Sequence, residues 1–103
     1  MYEILFAEGV AADLGPMEAS QRTWVLDRIE VQLRHEPTRQ TRNRKILVGL
    51  VPPWEQVEPV WELRIGEYRV FYDVEEIAAF GESSVIIRAI RRKPPHKTTE
   101  EIL

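Results

Sequence analysis

The sequence predicts an α+β fold, a small twisted antiparallel β-sheet with N-terminal helices packed on one face. Two observations carry this prediction. Residues 17–35 have the apolar spacing of a helix, and residues 61–92 contain strand-like runs separated by turn signals. Helices followed by a run of strands are typical of the α+β class. A chain of 103 residues is also expected to form one domain, spanning 1–103.

The remaining elements follow in chain order. Residues 2–7 are expected to form a short strand, and residues 8–14 one or two helical turns. In the helix at 17–35, apolar side chains recur every three or four residues, until Pro37 ends the pattern. Residues 45–50 are expected to form a brief strand within a proline-rich segment.

The strongest local signal is a β-hairpin between Trp61 and Val74. Glycine at the first central position of a two-residue turn, Gly66-Glu67, is typical of a type II′ turn. The resulting register places Arg64 opposite Arg69. Six side chains then share the core face: Trp61, Leu63, Ile65, Tyr68, Val70 and Tyr72. The opposite face carries Glu62, Arg64, Arg69 and Phe71, and it is expected to be left to the arginines.

A last strand is expected over 84–92. If it is regular, Arg88 and Arg92 share one face and Arg91 lies on the other. Pro94-Pro95 then stops the strand, and a stiff basic tail is expected to follow.

Composition excludes several classes of site. The chain has no cysteine, which excludes disulfides, thiolate metal sites and cysteine nucleophiles. Two histidines without spaced carboxylate partners predict no metal site, and no glycine-rich phosphate loop is present, so no cofactor is expected. No apolar run approaches the ~20 residues of a membrane span, and no signal peptide is evident. We therefore expect a cytoplasmic protein without a membrane partner.

The net charge is −3, but the basic residues are unevenly distributed. Ten of the 14 lysines and arginines lie in two segments: Arg34, Arg39, Arg42, Arg44 and Lys45, then Arg88, Arg91, Arg92, Lys93 and Lys97. A local basic patch can bind a polyanion whatever the total charge. Two solvated surface segments remain an equal alternative.

Individual residues can likewise be interpreted as parts of an anion-binding site or as structural and solvated side chains. Arg64 opposite Arg69 is unfavourable by up to ~1 kcal/mol unless an anion lies between them, either a phosphate or a carboxylate of the chain such as Glu62 or Asp73. The two side chains could also splay apart into solvent. His96 could carry a proton near neutral pH, or be a solvated histidine of the tail.

Three segments resemble the RelE/ParE toxin superfamily. The hairpin 61–74 matches that family's pattern of Arg, hydrophobic, Gly, polar, Tyr-Arg, hydrophobics and Tyr. Residues 44–50 are similar to its basic-Leu-x-Gly segment, and residues 85–93 to its last strand. The resemblance implies a RelE/ParE-like toxin of a type II toxin–antitoxin system with a cognate antitoxin. It also implies either ribosome-dependent mRNA cleavage, which inhibits translation, or inhibition of DNA gyrase.

For the nuclease branch, the resemblance implies metal-independent cleavage by the RNA 2′-hydroxyl. Arg69 matches the hairpin arginine that stabilises the phosphate charge, and Thr98-Thr99 stand where nuclease members often have a tyrosine. The candidate catalytic residues are Arg69, Arg92, Lys93 and His96, and the candidate RNA-binding residues are Lys45, Arg64, Arg69, Arg88 and Lys97. The alternatives are a non-catalytic ParE-like gyrase inhibitor and a lapsed homologue that only binds an antitoxin.

Overall fold

The computed structural model describes residues 1–77 and 82–103. The elements are β1 (Glu3–Phe6), α1 (Val10–Leu14), α2 (Ala19–Leu33), β2 (Arg44–Leu47), β3 (Val60–Ile65), β4 (Tyr68–Ile77), β5 (Glu82–Arg92) and a 3₁₀ helix (Glu100–Ile102). The five strands form one sheet in the order β1-β5-β4-β3-β2. The predicted α+β class is confirmed, with the helices on one face of the sheet. Among the described residues, no helix is long and apolar enough to cross a membrane.

The sheet is mixed rather than purely antiparallel. β1 pairs with β5 in parallel, while the pairs β2–β3, β3–β4 and β4–β5 are antiparallel. The hairpin turn between β3 and β4 makes these two strands antiparallel neighbours. The partner of β1 is not set by a local turn, because both helices intervene before the next strand.

The predicted hairpin is confirmed residue by residue. Gly66 has a φ of 56°, and no described non-glycine residue has a positive φ, as a type II′ turn requires. Arg64 lies opposite Arg69, and Trp61 opposite Tyr72. Five of the six predicted side chains are buried in the core beneath the helices, and Tyr68 packs against that core.

Helix α2 contributes Val25, Ile29 and Leu33 to this core, at spacings of four. The pattern left open whether Trp24 or Val25 is buried, and Val25 is the buried one. Trp24 keeps 44% of its surface exposed and lies over the hairpin turn, where a Cβ on Gly66 would come within 2.9 Å of the indole.

The sheet face opposite the helices, which we call the second face, carries a smaller core of its own. Its buried residues are Val60, Phe71 and Ala89, and the side chains packed on them are Leu47, Leu50, Trp54, Ile102 and Leu103. The expectation that this face is left to the arginines is therefore wrong. Phe71 is a large apolar side chain on that face, and the segments before β3 and after β5 fold over it to remove it from water.

A β-bulge in β5 changes the directions of its arginines. Phe71 pairs with Ala89 but Tyr72 pairs with Ile87, so Arg88 is an extra residue in β5. The expectation that Arg88 shares a face with Arg92 is wrong, because the extra residue breaks the alternation of the strand. Arg88 instead contacts Asp73 on the second face.

Candidate functional site

Three arginines lie side by side across the second face. Strand pairing places Arg69 between Arg64 on β3 and Arg91 on β5. Like charges in direct register repel, so the row needs compensating anions. The compensating anion of Arg91 is Asp13 in α1, whose Oδ1 lies 2.7 Å from Nη1 of the arginine. Its guanidinium also lies 5.2 Å from the ring centre of Trp54.

Arg69 is anchored by backbone acceptors at the hairpin turn. Its Nη1 donates to the carbonyls of Gly66 at 2.8 Å and Tyr68 at 2.9 Å. Arg69 is only 6% exposed, and its Nε has no hydrogen-bond partner among the described residues. Burial is the main cause that lowers the pKa of Arg69, and Arg64 lowers it further, while Glu62 raises it. The ordinary pKa of an arginine lies so far above neutrality that this guanidinium remains a cation at neutral pH.

Glu62 lies beside the arginine row and is only 2% exposed. Its Oε1 is 3.8 Å from Nζ of Lys45 and 3.9 Å from Nε of Arg69, and its Oε2 accepts a 3.4 Å hydrogen bond from Thr99. The structure thus brings together Lys45 and Arg69, two of the predicted phosphate contacts, around Glu62. The sequence analysis placed Glu62 on the same face as Arg64 and Arg69 and named it as a possible internal partner of that pair, but did not include it among the candidate site residues.

Arg88 is engaged by a carboxylate of the chain. Its Nε lies 2.7 Å from Oδ2 of Asp73, and the same oxygen accepts the backbone N–H of Val57 at 2.9 Å. The Asp73 side chain is 2% exposed and that of Arg88 is 16% exposed. Arg88 therefore joins β5 to β4 and, through Asp73, to the loop that covers the second face.

Arg92 lies on the helix side of the sheet, opposite Tyr68. Its Nε and Nη2 donate to Oε2 of Glu67 at 3.1 and 3.0 Å. With Trp24 and Gln21 of α2 it lines an open cleft of about 470 Å³. The structure therefore separates Arg92 from the row that contains Arg69.

The other predicted residues lie on the C-terminal segment, residues 93–103. The Lys93 N–H donates to the Glu67 carbonyl, while the side chains of His96 and Lys97 are exposed. The segment then folds back over the second face, where Thr99 reaches Glu62. The exposure of His96 and Lys97 fits the expected basic tail, but the segment does not project as a whole, because its apolar end, Ile102 and Leu103, packs onto the second-face core. Within the described ranges, no three potential metal ligands come together.

Comparison with known proteins gives one match. No family model matches the chain, and no curated protein is significantly similar. Among solved structures, the fold is similar to a chain in the crystal structure of the toxin–antitoxin complex RelBE2 from Mycobacterium tuberculosis. The TM-score is 0.58 at 19% identity, over 89% of this chain and 98% of that one. The chain therefore has a RelE-like fold, as the sequence resemblance predicted.

Proposed function

We propose that this chain is the toxin of a type II toxin–antitoxin pair. In this proposal it is a metal-independent, ribosome-associated mRNA endoribonuclease of the cytoplasm, neutralised by a cognate antitoxin. The observation that carries the proposal is the geometry around Arg69. The buried guanidinium is anchored at the hairpin turn, its Nε has no hydrogen-bond partner in the described part of the chain, and Arg64 lies beside it in the row. The fold similarity to a toxin–antitoxin complex supports the class of protein.

Metal-free RNA cleavage uses the 2′-hydroxyl of the substrate as the nucleophile against the adjacent phosphate. The protein then has to stabilise the charge that develops on the phosphate oxygens and to move protons. Arg69 and Arg64 serve the first need, because a guanidinium donates to two oxygens at once. Lys93 assists from the end of β5, and His96 exchanges the proton. Arg88 and Arg92 are already engaged by carboxylates of the chain.

The charge of the protein bears on how it would bind RNA. RNA affinity grows with the number of phosphates that lysine and arginine neutralise. The net charge is −3, and seven of the 14 lysines and arginines form ion pairs among the described residues. This acidic balance is unlike that of the strongly basic ribosome-targeting members of the superfamily, so action on the ribosome is proposed from the resemblance and not from the charge.

The internal ion pairs favour one other function, a ParE-like toxin that binds gyrase without chemistry. Arg88, Arg91 and Arg92 each contact a carboxylate of the chain, so the last strand offers less charge than its sequence implies. The half-exposed Trp24 on the helix side would suit a protein target. A homologue that only binds an antitoxin is the third possibility.

Induction of the chain alone, with growth and mRNA integrity followed by primer extension, tests the proposal. We expect growth arrest with discrete mRNA cuts, both reduced in Arg64→Ala, whose exposed side chain can be removed without disturbing the core. Arg42→Ala is the matched control, an exposed arginine outside the strands. Arrest with intact mRNA would favour the gyrase inhibitor. Absence of arrest by soluble, folded protein would contradict both toxin functions.

A further inference from the structure

The hairpin turn lies between helix α2 and the arginine row. The helix brings the six-membered ring of the Trp24 indole against Gly66, so closely that a Cβ added there would lie 2.9 Å from the ring. On the second face, Arg69 Nη1 donates to the carbonyls of Gly66 and Tyr68 at 2.8 and 2.9 Å. One short stretch of backbone therefore packs against an indole on one side and holds a guanidinium on the other.

The position of the Arg69 guanidinium depends on these two carbonyls. An Nη atom carries two hydrogens, and the two backbone bonds use both of those on Nη1. The neighbouring Nε is buried and has no hydrogen-bond partner among the described residues. Glu62 Oε1, at 3.9 Å from Nε, is too distant for a hydrogen bond. A change in the direction of either carbonyl would therefore shift or release the guanidinium.

The peptide between Gly66 and Glu67 has two orientations that are compatible with a two-residue turn. Type II′ and type I′ turns differ mainly by rotation of this peptide, and glycine adopts the backbone angles of both because it has no Cβ. Rotation into the I′ form needs a positive φ at Glu67, which is uncommon but allowed for a residue other than glycine. It would also direct the Gly66 carbonyl away from Arg69 and toward the helix side.

The indole occupies the space into which that carbonyl would turn. An atom placed on Gly66 as a Cβ already lies too close to the Trp24 ring, so a rotated peptide would collide with the ring or push it outward. We infer that Trp24 is a positioning residue for Arg69, because it holds the turn peptide with the Gly66 carbonyl on the second face. The consequence for cleavage rests on the proposed ribonuclease function, in which a displaced Arg69 stabilises the phosphate charge less well.

The other contacts of the turn act beyond this peptide. The Glu67 side chain pairs with Arg92, and the Glu67 carbonyl accepts the backbone N–H of Lys93. Neither contact sets the direction of the Gly66 carbonyl. Trp24 itself is 44% exposed and lies beside the buried face of α2, so it can be replaced while the buried side chains of the helix stay in place.

The first measurement is the rotation of the Arg69 guanidinium, followed by NMR exchange between the two Nη1 hydrogens. Arg69→Lys identifies the signal. Trp24→Ala should accelerate rotation about the Cζ–Nη1 bond by about tenfold or more, as expected for the loss of a hydrogen bond to a charged group. Trp24→Phe should restore most of the restriction, because it returns an aromatic ring to the turn. Val31→Ala, at an exposed apolar residue of the same helix, is the matched control and should leave the rotation unchanged.

A second control separates positioning from a general loss of stability. Ile29→Val removes a methylene group from the core and should lower stability without accelerating the Nη1 rotation. Unchanged rotation in Trp24→Ala, or equal acceleration in Ile29→Val, would contradict the inference. If Trp24→Ala does not fold, Trp24→Leu takes its place with the same expectation, since it also removes the aromatic ring from the turn.

Cleavage kinetics on ribosomes programmed with a short synthetic mRNA give the functional readout. Trp24→Ala should lower kcat by about tenfold or more with little change in KM, because Arg69 acts on charge that develops in the transition state. A rise in KM alone would overturn the inference, since it would mean that Trp24 contributes to substrate binding. Absence of cleavage by the wild-type protein would instead overturn the proposed function, and the rotation measurement would still decide whether Trp24 positions Arg69.

Discussion

Removal of Arg88 is expected to destabilise the fold rather than to remove a phosphate contact. The guanidinium lies 2.7 Å from a carboxylate oxygen of Asp73, which is itself almost fully buried. After Arg88→Ala the carboxylate stays in the protein interior, with the N–H of Val57 as its remaining donor among the described residues. The loss therefore includes the cost of an uncompensated buried charge.

The size of the effect follows from burial. Breaking a fully buried ion pair costs about 3–5 kcal/mol. The Arg88 side chain keeps 16% exposure and Val57 still bonds the carboxylate, so we expect the lower end, about 3 kcal/mol. At about 4–8 °C per kcal/mol for a domain of this size, the melting temperature should fall by roughly 12–24 °C.

Urea denaturation followed by circular dichroism measures this loss. Arg92→Ala is the matched control, because it removes the same charge from an ion pair whose side chains are 65% and 49% exposed. Exposed pairs contribute about 0–1 kcal/mol, so this variant should be nearly as stable as the wild type. Equal stability of the two variants, combined with loss of RNA cleavage in Arg88→Ala alone, would refute the structural role and restore Arg88 as a phosphate ligand.

Three further variants test the fold around the site. Gly66→Ala should lower the free energy of unfolding by about 1–3 kcal/mol in urea denaturation, because φ is 56° and the new Cβ would lie 2.9 Å from Trp24. If the same substitution costs less in a Trp24→Leu background, the difference measures the contact with the indole. Burial raises the pKa of Tyr72, so above pH ~10 the unfolded chain ionises first and stability falls. Tyr72→Phe should flatten this fall, and an unchanged pH profile would contradict the assignment. Asp13→Ala should cost about 1–3 kcal/mol through its lost bond to Arg91, and hydrogen exchange should rise in α1 if that bond holds the helix.

The hairpin could be predicted in detail because its determinants are local. Gly66 specifies the turn, the turn length specifies the register, and strand alternation then assigns each side chain to a face. The row of Arg64 and Arg69 follows from these steps without tertiary information. The same reasoning found the helix at 17–35 and its buried face, apart from the choice between Trp24 and Val25.

The bulge and the covering of the second face could not be predicted in this way. A single extra residue in β5 reverses the face of Arg88, and nothing in the local pattern of 84–92 marks it. The burial of Glu62 depends on Thr99, which is 37 residues away in the chain. Sequence alternation assigned Glu62 to the correct face, but whether that face is open depends on long-range packing.

The fold also rearranges the charges that the sequence keeps apart. Along the chain the acids and the basic segments are largely separate, yet folding pairs Arg91 with Asp13, 78 positions away, and Lys45 with Glu62. A basic segment in this sequence is therefore not a basic surface. Among the described residues, Arg64 is a member of the arginine row with no carboxylate within 4 Å, and Arg69 has Glu62 only at the limit of that range. Since Arg64 is also exposed, it is the member of the row that can pair with an external anion without giving up a carboxylate of the chain.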